Sequence, residues 1–138
     1  MRISSRAIII ENGKVLTMFR KKTNNGIVKE YYVIPGGGQE KGETLEETAI
    51  RELKEEMDVD IQILGYLGQS VWQDTTSNFF HCKIVSGTPH LSGEEVDRMS
   101  DDNYYEPRFI DLSKLNQIDV IGTEFIEKAN KKEYIKMR

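Results

Sequence analysis

Gly37-Gly38-Gln39-Glu40-Lys41-Gly42-Glu43-Thr44-Leu45-Glu46-Glu47-Thr48-Ala49-Ile50-Arg51-Glu52-Leu53-Lys54-Glu55-Glu56-Met57-Asp58-Val59 decides the reading of this chain. Thr44 to Met57 has the pattern of a helix. Thr44 fits an N-cap, and Glu47 three residues on completes a T-x-x-E capping box. Leu45, Ala49, Leu53 and Met57 recur every four residues and make an apolar stripe.

The same helix carries an electrostatic conflict. Glu52, Glu55 and Glu56 stand at i, i+3 and i+4 and are neighbours on one face. They lie in the C-terminal half, where the helix dipole disfavours anions. In projection Glu56 falls between Leu45 and Ala49, at the edge of the apolar stripe, where burying an unpaired carboxylate is costly. Arg51 is one source of compensation, but its projection points to a different side. A hard divalent cation with oxygen ligands is the simpler one. Taken alone, the helix fits an ordinary solvated acidic face equally well. The preceding Pro35-Gly36-Gly37-Gly38 tips the reading, because glycine-rich backbone can approach an ion or a phosphate closely.

Working outward, Arg6 to Ile10 reads as a strand, Asn12-Gly13 as a hairpin turn, and Lys14 to Arg20 as the returning strand. Lys21 to Lys29 is polar and reads as a loop, and Tyr31 to Ile34 as a short strand. Val59 to Leu67 and Ser77 to Val85 are β-like. Ser86 to Asn103 reads as a long loop, Tyr105 to Leu112 as a strand, and Thr123 to Lys136 as a closing helix. This order gives an α/β fold with a mixed sheet, in a single domain spanning 1–138.

Composition narrows the function classes. Hydrophobic residues make up 38% of the chain, enough for a packed core. The net charge of -4 and the lack of a basic block argue against duplex nucleic acid as a partner. No apolar run approaches a membrane span, and Ile3 with Ala7-Ile8-Ile9-Ile10 is too short for a secretory signal. The single cysteine, Cys82, fits a reducing cytoplasm and reads as a small core or strand residue. Arg20, Lys21 and Lys22 are candidate phosphate contacts, with a solvated basic turn as the alternative. Trp72, Phe79, Phe80, Tyr104 and Tyr105 are candidates for stacking a base, although strand aromatics more often fill cores. His81 and His90 lack metal-site spacing.

At Gly37, Glu43, Arg51-Glu52-Leu53, Glu55-Glu56 and Val59 the chain resembles the signature box of the Nudix (MutT-like) hydrolases. Arg6-Ala7-Ile8-Ile9-Ile10, Lys14-Val15-Leu16 and Tyr105-Glu106-Pro107-Arg108-Phe109-Ile110 resemble the family's first hairpin and a late strand. One position departs: Asp58 stands where the family has a glycine, at a helix end expected to be left-handed. Aspartate tolerates that conformation at some cost.

The resemblance implies a Nudix-type α/β/α sandwich around a central mixed β-sheet. It implies a metal-dependent hydrolase that cleaves a phosphoanhydride bond in a nucleoside diphosphate linked to another moiety. Glu52, Glu55 and Glu56 would bind Mg2+ or Mn2+, with the Gly36 carbonyl as a further ligand and Glu52 as the candidate base. Arg51 and Glu43 would form an orienting ion pair beside Gly37. Family members often add a later carboxylate, and Gly93-Glu94-Glu95-Val96-Asp97-Arg98 resembles the segment that supplies it. By that register Glu95 is the closer match and Glu94 the reserve; a solvated acidic loop is the alternative. Homodimers are common in the family. Three other readings compete: a non-catalytic Nudix-like nucleotide-binding domain, a Nudix-fold isomerase of isoprenoid diphosphates, and a plain acidic binding protein. The isomerase would need a cysteine before the box, whereas Cys82 lies after it.

Overall fold

The computed structural model describes residues 2–118 and 120–137, and the side chain of Glu95 also lies outside the described residues. The first strand, β1 (Arg2–Glu11), organises the fold. Its end turns at Asn12-Gly13, both with positive φ, into β2 (Lys14–Asn24). Its start pairs antiparallel with the short β4 (Gly36–Gly38), placing Ser5 opposite Gly37 and Arg6 opposite Gly36. Along its length β1 also pairs in parallel with β6 (Thr75–Ser86), which returns from β5 (Asp60–Trp72). β2 carries β3 (Ile27–Val33) and β7 (Asn103–Asp111). The described strands form one mixed sheet with the order β3-β2-β1-β6-β5, with β4 on β1 and β7 on β2.

A helix covers each face. Ala7 and Ile9 of β1 join Ala49, Leu53 and Met57 of α1 (Leu45–Met57) in one core, with Phe80, Cys82 and Tyr105. Ile8 points the other way and packs with Phe125, Ile126 and Ala129 of α3 (Thr123–Asn130). This is the alternation that a strand buried on both faces demands. The architecture is the expected α/β/α arrangement. No helix among the described residues is long and apolar enough to cross a membrane.

Three expectations fail. Lys21 to Lys29 is not a loop. β2 runs on to Asn24, the chain turns at Asn25-Gly26 with φ 52° and 79°, and β3 begins at Ile27. The segment is polar because this ribbon extends beyond the core; Lys22 still pairs with Lys29 and with Asn103. The Ser86–Asn103 loop contains a short helix, α2 (Glu94–Arg98). The closing helix stops at Asn130, not Lys136, because Lys132 takes a left-handed conformation (φ 57°). The tail then runs along β5, where the Ile135 amide donates to the Tyr66 carbonyl at 2.9 Å.

Candidate active site

Helix α1 starts as its sequence requires. Thr44 Oγ1 accepts from the Glu47 amide at 3.1 Å, and the Glu47 carboxylate accepts from the Thr44 amide at 2.8 Å. Its far end departs from ideal. Asp58 is left-handed, at φ 55° and ψ 43°, and donates its amide to the Lys54 carbonyl.

Arg51 is the centre of the site. Its Nε and Nη2 grip Glu43 in a fork at 2.6 and 3.0 Å, and Nη2 also donates to the Gly38 carbonyl at 2.8 Å. Nη1 donates to Glu52 at 3.0 Å and to Glu55 at 3.1 Å, with Glu40 at 3.2 Å. The expected Arg51–Glu43 pair is therefore present. The expectation that Arg51 points away from the acidic face is wrong. A helical projection places only the Cβ, and the long side chain swings its guanidinium back across the carboxylates.

The consequences for charge follow. The Arg51 guanidinium, helped by the Glu40 amide, holds the Glu43 carboxyl down at about 2. Arg51 is in turn pushed further up by Glu43, Glu52 and their hydrogen bonds. The brace fixes the glycine loop to the helix. It brings the Glu52 carboxyl group over Gly37 so closely that a Cβ there would run into it. At Gly36, φ is 150° and a Cβ would collide with the Ser5 carbonyl, so β4 can lie on β1 only as glycine. Gly38 is less constrained: a Cβ there would only press on the flexible Arg2 side chain, at 3.3 Å.

Glu56 is buried, as its projection suggests. Sequence reading missed its neighbour, Arg6. This residue is half-buried and donates Nη1 to the Ile34 carbonyl at 2.9 Å. Burial lowers its pKa, while the charges of Glu56 and Glu52 raise it again. An arginine heading the otherwise apolar Ala7–Ile10 run was the available signal. Ser5 Oγ and Arg20 Nε are buried without a hydrogen-bond partner.

The segment after β6 is stitched to the end of α1. The amides of His90 and Ser92 donate to the carbonyls of Met57 and Glu56 at 3.2 and 2.9 Å, and Ser92 Oγ donates to Glu55 O at 2.6 Å. These bonds satisfy carbonyls that a helix end leaves orphaned. Gly93 then lies against the Glu55 carbonyl, and α2 begins. Glu94 is exposed and pairs with Arg98 at 2.9 Å. The expectation for Glu95 falls on a side chain outside the described residues.

Other candidates disperse. Arg20 lies over the Tyr105 ring at 4.6 Å, and Lys21 and Lys22 are exposed. Phe79 stacks on Phe125 at 4.2 Å in the core, Phe80 packs on Tyr66, and Trp72 and Tyr104 are exposed. Cys82 is buried, with its thiol pushed up by desolvation, as a core residue.

The donor chemistry suits a hard divalent ion: carboxylate oxygens beside a glycine backbone cradle. Among the described residues no three such side chains are yet gathered around one point. Instead, Arg51 holds Glu52 and Glu55 on a single nitrogen, the place of a positive charge.

Comparison with known proteins agrees with this geometry. Residues 1–120 match the model of the NUDIX domain. The chain is 34% identical over 95 residues to Nudix hydrolase 5 of Arabidopsis thaliana, covering 64% of this chain and 30% of that protein. It is 32% identical over 111 residues to an ADP-ribose pyrophosphatase of Methanocaldococcus jannaschii, covering 80% of this chain and 62% of that one. The chain thus spans less than two thirds of either relative's length. A crystal structure of a MutT NUDIX hydrolase from Burkholderia pseudomallei superposes with a TM-score of 0.71 at 20% identity, covering 91% of this chain and 95% of that one. With the box built as described and the family model matched across most of its length, this chain belongs to the NUDIX domain family.

Proposed function

We propose that this protein is a metal-dependent hydrolase, folded as a single domain, that cleaves the phosphoanhydride bond of a nucleoside diphosphate derivative. One observation carries the reading: the Glu52 carboxylate seated on Gly37, with Glu55 tied to the same arginine. A structural acidic helix has no need of a glycine that only clears space for a carboxylate.

Glu52, Glu55 and Glu56 are the side chains that hold Mg2+ or Mn2+ in this reading, with the Gly36 carbonyl as a backbone ligand. The ion, when bound, supplies positive charge against phosphate oxygens and acidifies water. The chain's own residues do the rest. Glu43 and Arg51 keep the loop and helix in one rigid frame, so that the carboxylates are positioned before substrate arrives. Glu52 accepts the proton of the water that attacks phosphorus in line. Arg6 keeps a half-buried positive charge beside Glu52 and Glu56 and limits the cost of gathering anions there. The departing group is a phosphate or nucleotide, already a tolerable anion. The relative from M. jannaschii makes ADP-ribose the first compound to try.

The test is a panel of ADP-ribose, nucleoside diphosphate sugars, dinucleoside polyphosphates and nucleoside triphosphates with Mg2+ or Mn2+, with products identified. Cleavage between two phosphorus atoms in at least one compound is the expected result. Binding without turnover across the panel would favour a nucleotide-binding domain instead.

A further inference from the structure

A cavity of about 710 Å3 opens at the other side of the glycine loop, and none of Glu52, Glu55 and Glu56 lines it. Gln39 and Leu45 form its edge toward the box, and Tyr66, Gln69, Asn78 and Lys128 line it from β5, β6 and α3. Its volume is that of a small-molecule site. Its position is informative. Gln39 is two residues beyond Gly37, about 7 Å along the chain. Leu45 is seven residues before Glu52 on one helix, about 10 Å along its axis. The cavity's edge therefore lies within about 10 Å of Gly37 and of the helix turn that carries Glu52.

The lining is mixed and partly rigid. Asn78 is 3% exposed; Tyr66 Oη donates to its Oδ1 at 2.8 Å, and its Nδ2 donates to Ser4 O at 3.3 Å. Gln39 donates Nε2 to the Glu43 carbonyl at 2.7 Å, which couples the cavity's edge to the Arg51 brace. Leu45, Phe125 and Met137 offer apolar surface for the face of a ring, and the amides offer donors and acceptors for its edge.

One wall is the tail. Ile135, Lys136 and Met137 close the cavity, and they are held there by a seat built for Tyr134. The ring lies on Gly65, where any Cβ would run into it. The Tyr134 hydroxyl meets His81 Nδ1 at 2.8 Å, and His81 is itself buried. The bond from the Ile135 amide to the Tyr66 carbonyl secures the next residue.

We propose that this cavity takes the nucleoside group of the substrate, and that Tyr134, by holding the tail as its wall, is a specificity-determining positioning residue. The assignment of the group rests on the hydrolase reading above, but the cavity can be tested without turnover. Metal-free protein is titrated with AMP, GMP, CMP and UMP, and with ribose 5-phosphate as the base-free control, while backbone amide signals are followed by NMR. The expected result is shifts at Gln69, Asn78 and Ile135 with at least one nucleotide and none with ribose 5-phosphate. Tyr134→Ala should weaken that nucleotide about fivefold or more, and raise KM with kcat held, whereas Tyr134→Phe, which keeps the ring on Gly65 and loses only the His81 bond, should bind much closer to wild type than Tyr134→Ala. Should Tyr134→Ala fail to fold, Gly65→Ala displaces the same ring. Shifts confined to Gly36 through Glu56, equal response to ribose 5-phosphate, or unchanged affinity in a folded Tyr134→Ala would each overturn the proposal. Nucleotide shifts at the cavity in a protein that hydrolyses no anhydride would uphold the cavity and remove the hydrolase reading alone.

Discussion

Asp58 ends helix α1 in a left-handed conformation and returns its side chain to Lys54, four residues back, at 3.2 Å. Its other oxygen faces His90 at 3.5 Å. The family's glycine would relieve backbone strain at this position but would make neither contact. Both side chains are about half exposed, so the pair is worth no more than about 1 kcal/mol, similar to the strain. The substitution Asp58→Gly should therefore change stability by less than about 1 kcal/mol, and the sign should depend on salt. In thermal melts the glycine variant should gain on wild type as ionic strength rises, because wild type has the Asp58–Lys54 pair to lose in addition to the Lys54–Asp60 pair that both share. A difference that ignores salt would mean that the Lys54 pair contributes nothing.

Glu43 supplies a pH signature. Its folded pKa lies at about 2, below the ordinary value of 4.5, because Arg51 donates a fork of hydrogen bonds to it. A depressed carboxylate stabilises the fold above the unfolded pKa and loses that contribution as pH falls through the folded one. Glu43→Gln should melt well below wild type at neutral pH. The gap should narrow from about 4.5 downward and close near 2. A constant gap across that range would show that the Arg51 brace is not what the substitution removes.

Helix α1 was legible because its signals are local: a capping box, a four-residue apolar repeat and an acidic cluster lie within its own residues. The order of strands and helices gave the mixed α/β class, and the α/β/α layering came from the family resemblance. What escaped was set by distant partners. Lys21 to Lys29 looks like a loop because its strands lie beyond the core, where alternation has nothing to bury. The end of α3 is decided by a seat on β5, sixty-odd residues earlier in the chain, that draws Tyr134 away. The direction of Arg51 depends on a flexible side chain rather than on its place on the helix.

Gly37→Ala tests the cradle. Nothing in the backbone forbids alanine at Gly37, since its φ is outside the left-handed range, but the added methyl would push the Glu52 carboxylate aside. A displacement of this size at a positioned group is expected to lower kcat by about 100-fold while the protein still folds. Circular dichroism beside steady-state kinetics on the best substrate gives the answer. An alanine variant with wild-type turnover would show that Glu52 works from a different position.

Exhaustive chelation should abolish hydrolysis and added Mg2+ or Mn2+ should restore it. Glu56→Gln should cost about 100-fold or more in turnover. Glu55→Gln should show the same loss with little change in melting temperature, since the Glu55 side chain is more than half exposed. Activity that survives chelation would exclude the ion from the reaction.

The last prediction concerns the segment beyond the box. Three helix carboxylates cannot alone surround a cation that seeks about six oxygens. The loop before α2 is fastened to the turn carrying Glu55 and Glu56 by the Ser92 amide and hydroxyl, and Gly93 presses on the Glu55 carbonyl. Those bonds fix where α2 begins. Glu94 is exposed and engaged with Arg98, which leaves Glu95 as the better candidate. Glu95→Gln should lower kcat by about 100-fold with an unchanged melting temperature, and Glu94→Gln should be near wild type. Ser92→Ala, which removes the hydroxyl bond to Glu55, should give an intermediate loss if the fastening is what positions Glu95. Near-wild-type turnover in both glutamine variants would show that the segment caps the helix and serves the metal site in no other way.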